Sequence, residues 1–266
     1  LAAVVAVAAL AVAACSGGDE ETAVPAGGTE APASSTTAPT PTTTSSSTTT
    51  VPPTTTAPPT TTTTEPPEPT YRPGASSPEI GLLQLRLAEL GFRPGEANGV
   101  YGPQTSSAVL AFQKREGIGR DGIAGPETLA RLATPQGAGG QRSGPGPWIE
   151  VDLARQIAFV ADASGTVTTL NVSTGNGQPY TSSSGATAIA RTPTGEWPIY
   201  RTYDGTETGF LGTLYRPLYF TGGYAVHGSP SVPAYPASHG CVRVSNADAD
   251  WLWTFVGHGV PVQVHA

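Results

Sequence analysis

The pattern of apolar and polar positions changes texture four times along the chain. Leu1 to Ala14, "LAAVVAVAALAVAA", is unbroken apolar sequence. From Thr22 to about Thr70 the chain is Thr, Ser, Pro and Ala with almost no large apolar side chain. "EIGLLQLRLAELG" then sets Ile80, Leu83, Leu87 and Leu90 on one helical face and stops at Gly91. From Trp148 onward the period falls to two, in "WIEVDL", "IAFVA" and "TVTTLNV", broken by the turns "ADASG" and "STGNG". "GTLYRPLYF", "GYAVHG" and "VPVQVH" continue that alternation. One helical stretch interrupts it late. Ser245-Asn246-Ala247-Asp248 reads as a capping box, with Ala247, Trp251, Leu252 and Phe255 at helical spacing and a stop at Gly257. The pattern predicts a multidomain chain: a small all-α module, then a mostly-β, sandwich- or barrel-like domain with one late helix.

A repeat organises the α module. "NGVYGPQT" (Asn98 to Thr105) and "DGIAGPET" (Asp121 to Thr128) share Asn/Asp-Gly-x-x-Gly-Pro-x-Thr. Asn-Gly and Asp-Gly favour tight turns, and Gly-Pro puts proline in the first turn of a helix, where its missing N–H costs little. Apolar positions follow each copy, Val109 and Phe112 in one and Leu129 and Leu132 in the other. Three helices are predicted.

The boundaries follow from these shifts: 1–14, 15–76, 77–135, 136–146 (a Gly-rich linker) and 147–266. The apolar run at 1–14 is too short for a membrane span, which needs about 20 residues, but suits a signal-peptide core. The chain contains no Met, so the start of that segment is read as truncated. Val12-Ala13-Ala14-Cys15 resembles a bacterial lipobox, which implies lipidation of Cys15 and attachment to a membrane. The Thr/Pro-rich stretch at 15–76 cannot form a core and is expected to be a disordered stalk. Proline-rich chain rises about 3.1 Å per residue, so roughly fifty residues could reach on the order of 150 Å.

Net charge is −6 over residues 1–70, +2 over 71–146 and −3 over 147–266, which together make the −7 of the chain. No basic stripe is present, so nucleic acid is not an expected partner.

The candidate chemistry sits in "ASHGCVRVS", Ala237 to Ser245. It holds Cys241, and the chain has one other cysteine, Cys15. Lipidation of Cys15 would preclude an intrachain disulfide. A thiol attacks acyl groups as thiolate and needs a nearby base or cation to ionise near neutral pH. His239 falls on the same side as Cys241 if the segment is extended. His227, in "YAVHGSP", ends an apolar strand-like run joined to the cysteine by a Pro-rich loop. Gly240 leaves room for backbone N–H groups to face a developing oxyanion. His227, His239 and Cys241 are also competent zinc ligands. However, the nearest acids, Asp248 and Asp250, are better explained by the helix start. No metal or organic cofactor is expected.

Two resemblances sharpen these readings. "LQLRLAELGF", "NGVYGPQTSSAVLAFQ" and "DGIAGPETLARL" resemble the peptidoglycan-binding type 1 module, which implies a role in holding wall polymer. "YAVHGSPSVPAYPASHGCVRVS" resembles the catalytic motif of the YkuD-type L,D-transpeptidases, as do "RTPTGEWPI" and "VDLARQIAFV". That second likeness implies Cys241 as nucleophile, His227 as general base and the Gly228 carbonyl as the group orienting the imidazole. Ser238 and His239 would shape the pocket, and the N–H groups of Gly240 and Cys241 would face the oxyanion. Arg243 would brace the loop or meet a substrate carboxylate. His258 and His265 match nothing and are expected at the surface or at a helix end. The implied activity is transfer between peptidoglycan stem peptides through a cysteine thioester, giving 3→3 cross-links outside the cytoplasm, at the membrane and into the wall. An L,D-carboxypeptidase using water, and an inactive wall anchor, are the alternatives.

Overall fold

The computed structural model describes residues 68–266, so the expected signal segment, Cys15 and most of the stalk lie outside the described residues. Three helices come first: α1 (Pro78–Glu89), α2 (Pro103–Glu116) and α3 (Pro126–Ala133). Each opens on proline, as the repeat predicts for α2 and α3. Ile80, Leu83, Leu87, Phe92, Val109, Phe112 and Leu132 make their shared core, where Phe92 meets Phe112 edge to face at 5.6 Å.

Two buried glutamines explain why the repeat carries a threonine. Gln84 of α1 donates to Val100 O (2.9 Å) and Thr105 Oγ1 (2.9 Å) and accepts from Gly99 N–H (3.0 Å). Gln113 of α2 does the same in the second copy. It donates to Ile123 O (3.0 Å) and Thr128 Oγ1 (3.1 Å) and accepts from Gly122 N–H (2.8 Å). One amide side chain thus satisfies the backbone of each turn inside the core, where an unpaired group would be costly.

The strands follow: β1 (Trp148–Asp152), β2 (Ile157–Ala161), β3 (Val167–Asn171), β4 (Pro179–Thr181), β5 (Thr187–Ile189), β6 (Gly195–Pro198), β7 (Arg201–Thr202), β8 (Thr206–Gly209), β9 (Gly212–Thr221), β10 (Tyr224–Ser229) and β11 (Val242–Ser245). Helix α4 (Asn246–Trp253) and strand β12 (Pro261–His265) complete the chain. One sheet has the order β3-β2-β1-β12-β6, and a second runs β11-β10-β9-β7 with β8 also on β9. β4 and β5 form a separate hairpin. Ile149, Val151, Val160, Leu170, Val262 and Val264 of the first sheet share a core with Leu218, Phe220, Val226, Val242 and Val244 of the second. This is the expected sandwich.

Ser245 caps α4 as expected, accepting from Asp248 N–H at 3.1 Å. The helix is shorter than the pattern predicts. It ends at Trp253, with Thr254 as its cap, and Gly257 lies beyond it. The last turn tightens because Thr254 Oγ1 donates to Trp251 O at 2.7 Å. Asp248 is buried and pairs with Arg93 (3.1 Å), while Asp250 accepts from Tyr215 OH (2.7 Å) and Arg216 (2.9 Å).

The Gly-rich segment 136–146 is packed against both neighbours. Glu116 accepts from Gln136 N–H (2.7 Å) and Gly137 N–H (2.8 Å), Glu150 from Gln141 N–H (2.8 Å) and Arg142 N–H (2.6 Å). A Cβ at Gly137 would lie 2.6 Å from Arg115 O, and one at Gly140 would lie 2.7 Å from Glu150 Oε2. Together with the sandwich, the helices and this strap form one compact unit.

Candidate active site

β10 and β11 are parallel neighbours, with Val226 opposite Val242 and His227 opposite Arg243. Side chains alternate across a strand, so Val226, Val242 and Val244 enter the core while His227 and Arg243 point to the other face. Cys241 directly precedes β11 and packs with Ala225, Leu214 and Tyr219. The fold therefore brings the sequence-predicted base, in β10, and the nucleophile, in the residue before the neighbouring β11, to the same end of one face, joined by the loop 230–241. His227, Cys241, Ser238 and Arg243 are all buried.

The tautomer of His227 follows from its neighbour. Nδ1 lies 2.9 Å from Gly228 O. A carbonyl oxygen can only accept, so Nδ1 carries the proton and Nε2 carries the lone pair. Nε2 is buried with no hydrogen-bond partner among the described residues. Burial pushes the imidazole pKa down to about 4, with the Arg243 charge adding to the effect and the Gly228 bond opposing it. His239 is also lowered, again by burial first and Arg243 second. Its ring meets Tyr180 of the β4–β5 hairpin at 4.9 Å.

The turn before Cys241 is held from inside. Ser238 Oγ donates to Cys241 O (2.6 Å) and accepts from Gly240 N–H (3.0 Å). The Gly240 N–H, expected to face an oxyanion, is thus already engaged. Gly240 has φ +135°, and a Cβ there would sit 2.4 Å from Tyr224 Cε1 and 2.8 Å from Arg191 O. Only glycine fits. Cys241 Sγ lies 3.9 Å from Gly223 O. A nucleophilic Cys241 is the reduced, ionised form.

Several supporting residues carry no local signal of their role. Thr192 Oγ1 donates to Gly240 O (2.7 Å) and accepts from Gly175 N–H (3.0 Å). Thr174 O accepts from both Ala237 N–H and Ser238 N–H at 2.9 Å, and Ser173 exchanges backbone bonds with Arg243. Thr174, Gly175, Arg191 and Thr192 line a cleft of about 450 Å³ against this turn. Thr192 lies within "RTPTGEWPI", the one piece of sequence that points to it. His258 is exposed as expected, whereas His265 is half-buried because Nε2 pairs with Glu150 at 2.8 Å. Among the described residues no three His, Cys, Asp or Glu side chains gather as a metal site, and no helix is long and apolar enough to cross a membrane.

Residues 146–264 match the family described as the L,D-transpeptidase catalytic domain, YkuD, and residues 76–132 match a peptidoglycan binding domain. A crystal structure of the L,D-transpeptidase (residues 123–326) from Xylanimonas cellulosilytica is 44% identical, with a TM-score of 0.70. The match covers 76% of this chain and 100% of that one. Among curated proteins, the N-acetylmuramoyl-L-alanine amidase CwlM of Mycobacterium tuberculosis is 44% identical over 54 residues, 20% of this chain. The amidase CwlL of Bacillus licheniformis is 45% identical over 62 residues, 23% of this chain. The matched segments span only 13% and 17% of those two proteins.

Proposed function

The chain belongs to the L,D-transpeptidase family, and from that premise we propose that it joins peptidoglycan stem peptides by 3→3 cross-links through a thioester on Cys241. The observation that carries the reading is the His227 lone pair: Nε2 is buried and unengaged among the described residues, on the strand beside the cysteine, with Nδ1–H committed to Gly228 O. An imidazole held in that tautomer acts as a general base without first losing a proton.

In the reduced protein, Nε2 takes the thiol proton and the thiolate attacks the carbonyl of the third residue of a tetrapeptide stem. The C–N bond to the terminal D-Ala breaks, and the imidazolium returns the proton to the departing amine. An amine of a second stem then attacks the thioester and regenerates the thiol. Arg243 and His239 border this space, and the Arg243 cation favours the thiolate over the thiol. Gly240 contributes the backbone turn; its N–H could serve an acyl oxygen only by leaving Ser238 Oγ. The helical module would hold the wall polymer nearby, and lipid on Cys15 would keep the protein at the membrane.

The test is to incubate the whole chain, with its thiols reduced, with a disaccharide-tetrapeptide and to record protein and product masses, with Cys241→Ala as control. An adduct on the wild type together with 3→3 dimers is the expected result. Tripeptide alone would make it an L,D-carboxypeptidase. A folded, reduced protein giving neither adduct nor product would sink the enzymatic reading and leave a wall anchor. The lipid assignment is tested separately, by the mass of the N-terminal peptide from cells.

A further inference from the structure

Lys114 is a charged residue near the end of α2, in the wall-binding module, yet none of its surface is exposed. Its Nζ donates to three oxygens of the sandwich: Gln156 O (3.0 Å), Asn171 Oδ1 (2.5 Å) and Val172 O (2.9 Å). An ammonium has three N–H donors, so the count matches. Two of these partners lead to the loop that joins His227 to Cys241. Asn171 Nδ2 donates to Val232 O (3.1 Å) in the first part of that loop. Gln156 grips Thr174 twice, donating from Nε2 to Oγ1 (2.7 Å) and accepting at Oε1 from N–H (2.9 Å). Thr174 O in turn holds Ala237 N–H and Ser238 N–H at the loop's far end. Gln156 needs that support, because its backbone sits at φ +58°, a conformation a non-glycine residue rarely adopts.

We propose that Lys114 is a positioning residue for the nucleophile turn, so that the wall-binding module is a working part of the catalytic site as well as an anchor. This rests on the proposed thioester chemistry, but the positioning itself can be read without it. Losing the amine would leave the Gln156 and Val172 carbonyls and the Asn171 amide oxygen buried short of a donor. The Asn171 side chain and the Gln156 backbone, strained at φ +58°, would then be free to shift, and with them both ends of the loop. Burial, with the Arg120 charge acting in the same direction, lowers the amine to about 7.

The experiment compares Lys114→Met and the milder Lys114→Gln with Arg93→Met in the whole, reduced chain. Arg93 ties the module to α4 through Asp248 and stacks on Trp251 at 4.3 Å, and its partners among the described residues lie away from the loop. Two readouts are taken: hydrogen exchange of the 230–241 peptide, and the rate of thioester formation on a soluble tetrapeptide too short to need the wall. Both Lys114 variants should raise exchange at Ala237 and Ser238 at least tenfold and slow acylation at least tenfold, with KM within about threefold. Arg93→Met should leave both within about twofold. Equal effects from Arg93→Met, unchanged exchange in folded Lys114 variants, or failure of both Lys114 variants to fold would each overturn the proposal, the last by making Lys114 a folding residue. If the wild type forms no thioester, the proposed function fails while the exchange readout still decides the positioning.

Discussion

At neutral pH the imidazole of His227 is uncharged, because burial holds its pKa at about 4 against an ordinary value of 6.5. The unfolded chain takes up a proton between those two values and the folded chain does not. Stability is therefore fully present above pH 6.5 and falls as pH drops toward 4, by about 3 kcal/mol from this group. Chemical denaturation of wild type and His227→Gln across that range should show the wild type losing more, and parallel curves would contradict a neutral buried base. Gly240→Ala tests the turn itself. With φ +135° and a ring carbon 2.4 Å from the new Cβ, the variant should lose acylation and fall by several degrees in Tm. Wild-type acylation would refute the tight packing. At this scale the sequence singles out candidates where the proposed chemistry needs a rare residue. Cys241, His227 and the glycine between Ser238 and Cys241 could all be picked out by type and spacing. Lys114 could not. In "FQKREG" it looks like the solvated end of a helix, and only the sheet facing it makes it a buried donor.

The repeated element of the helical module rests on a glutamine and a threonine that meet across a turn. Replacing Gln113 by Leu would leave the Asp121 and Gly122 N–H groups without this acceptor and take one donor from the Ile123 carbonyl. A cost of about 2–4 kcal/mol is expected from the denaturation midpoint, and a change under about 0.5 kcal/mol would show the network to be dispensable. The Asn/Asp-Gly-x-x-Gly-Pro-x-Thr pattern announced the turns and helix starts, because those depend on backbone conformation that Gly and Pro dictate locally. The glutamines were silent because a polar residue on a helix reads as exposed until its partners are known. For α4 the capping box located the start, whereas apolar spacing ran past the true end: Phe255 packs on the core from beyond the helix.

For the molecule as a whole, the helices and the sandwich share buried contacts at Lys114, at Arg93–Asp248 and where Thr169 N–H meets Gly91 O at 2.7 Å. Calorimetry of the whole chain should give one cooperative transition for the two together, and two well-separated transitions would show them to be independent. Sequence divided the chain into textures. It could not show that these textures dock, because docking is carried by single residues scattered among ordinary surface positions. The strap at 136–146 illustrates the difference. A composition of "QGAGGQRSGPG" suggests a swivel, but Gly137, Gly140 and Gly146 each face an oxygen within 3 Å of where a Cβ would be. Here glycine supplies thinness rather than freedom, letting the chain slip between two surfaces already in contact. The helical module is consequently not an interchangeable cassette. A graft from another protein would have to bring the same lysine and the same thin seam, or leave three oxygens of the catalytic half buried short of a donor.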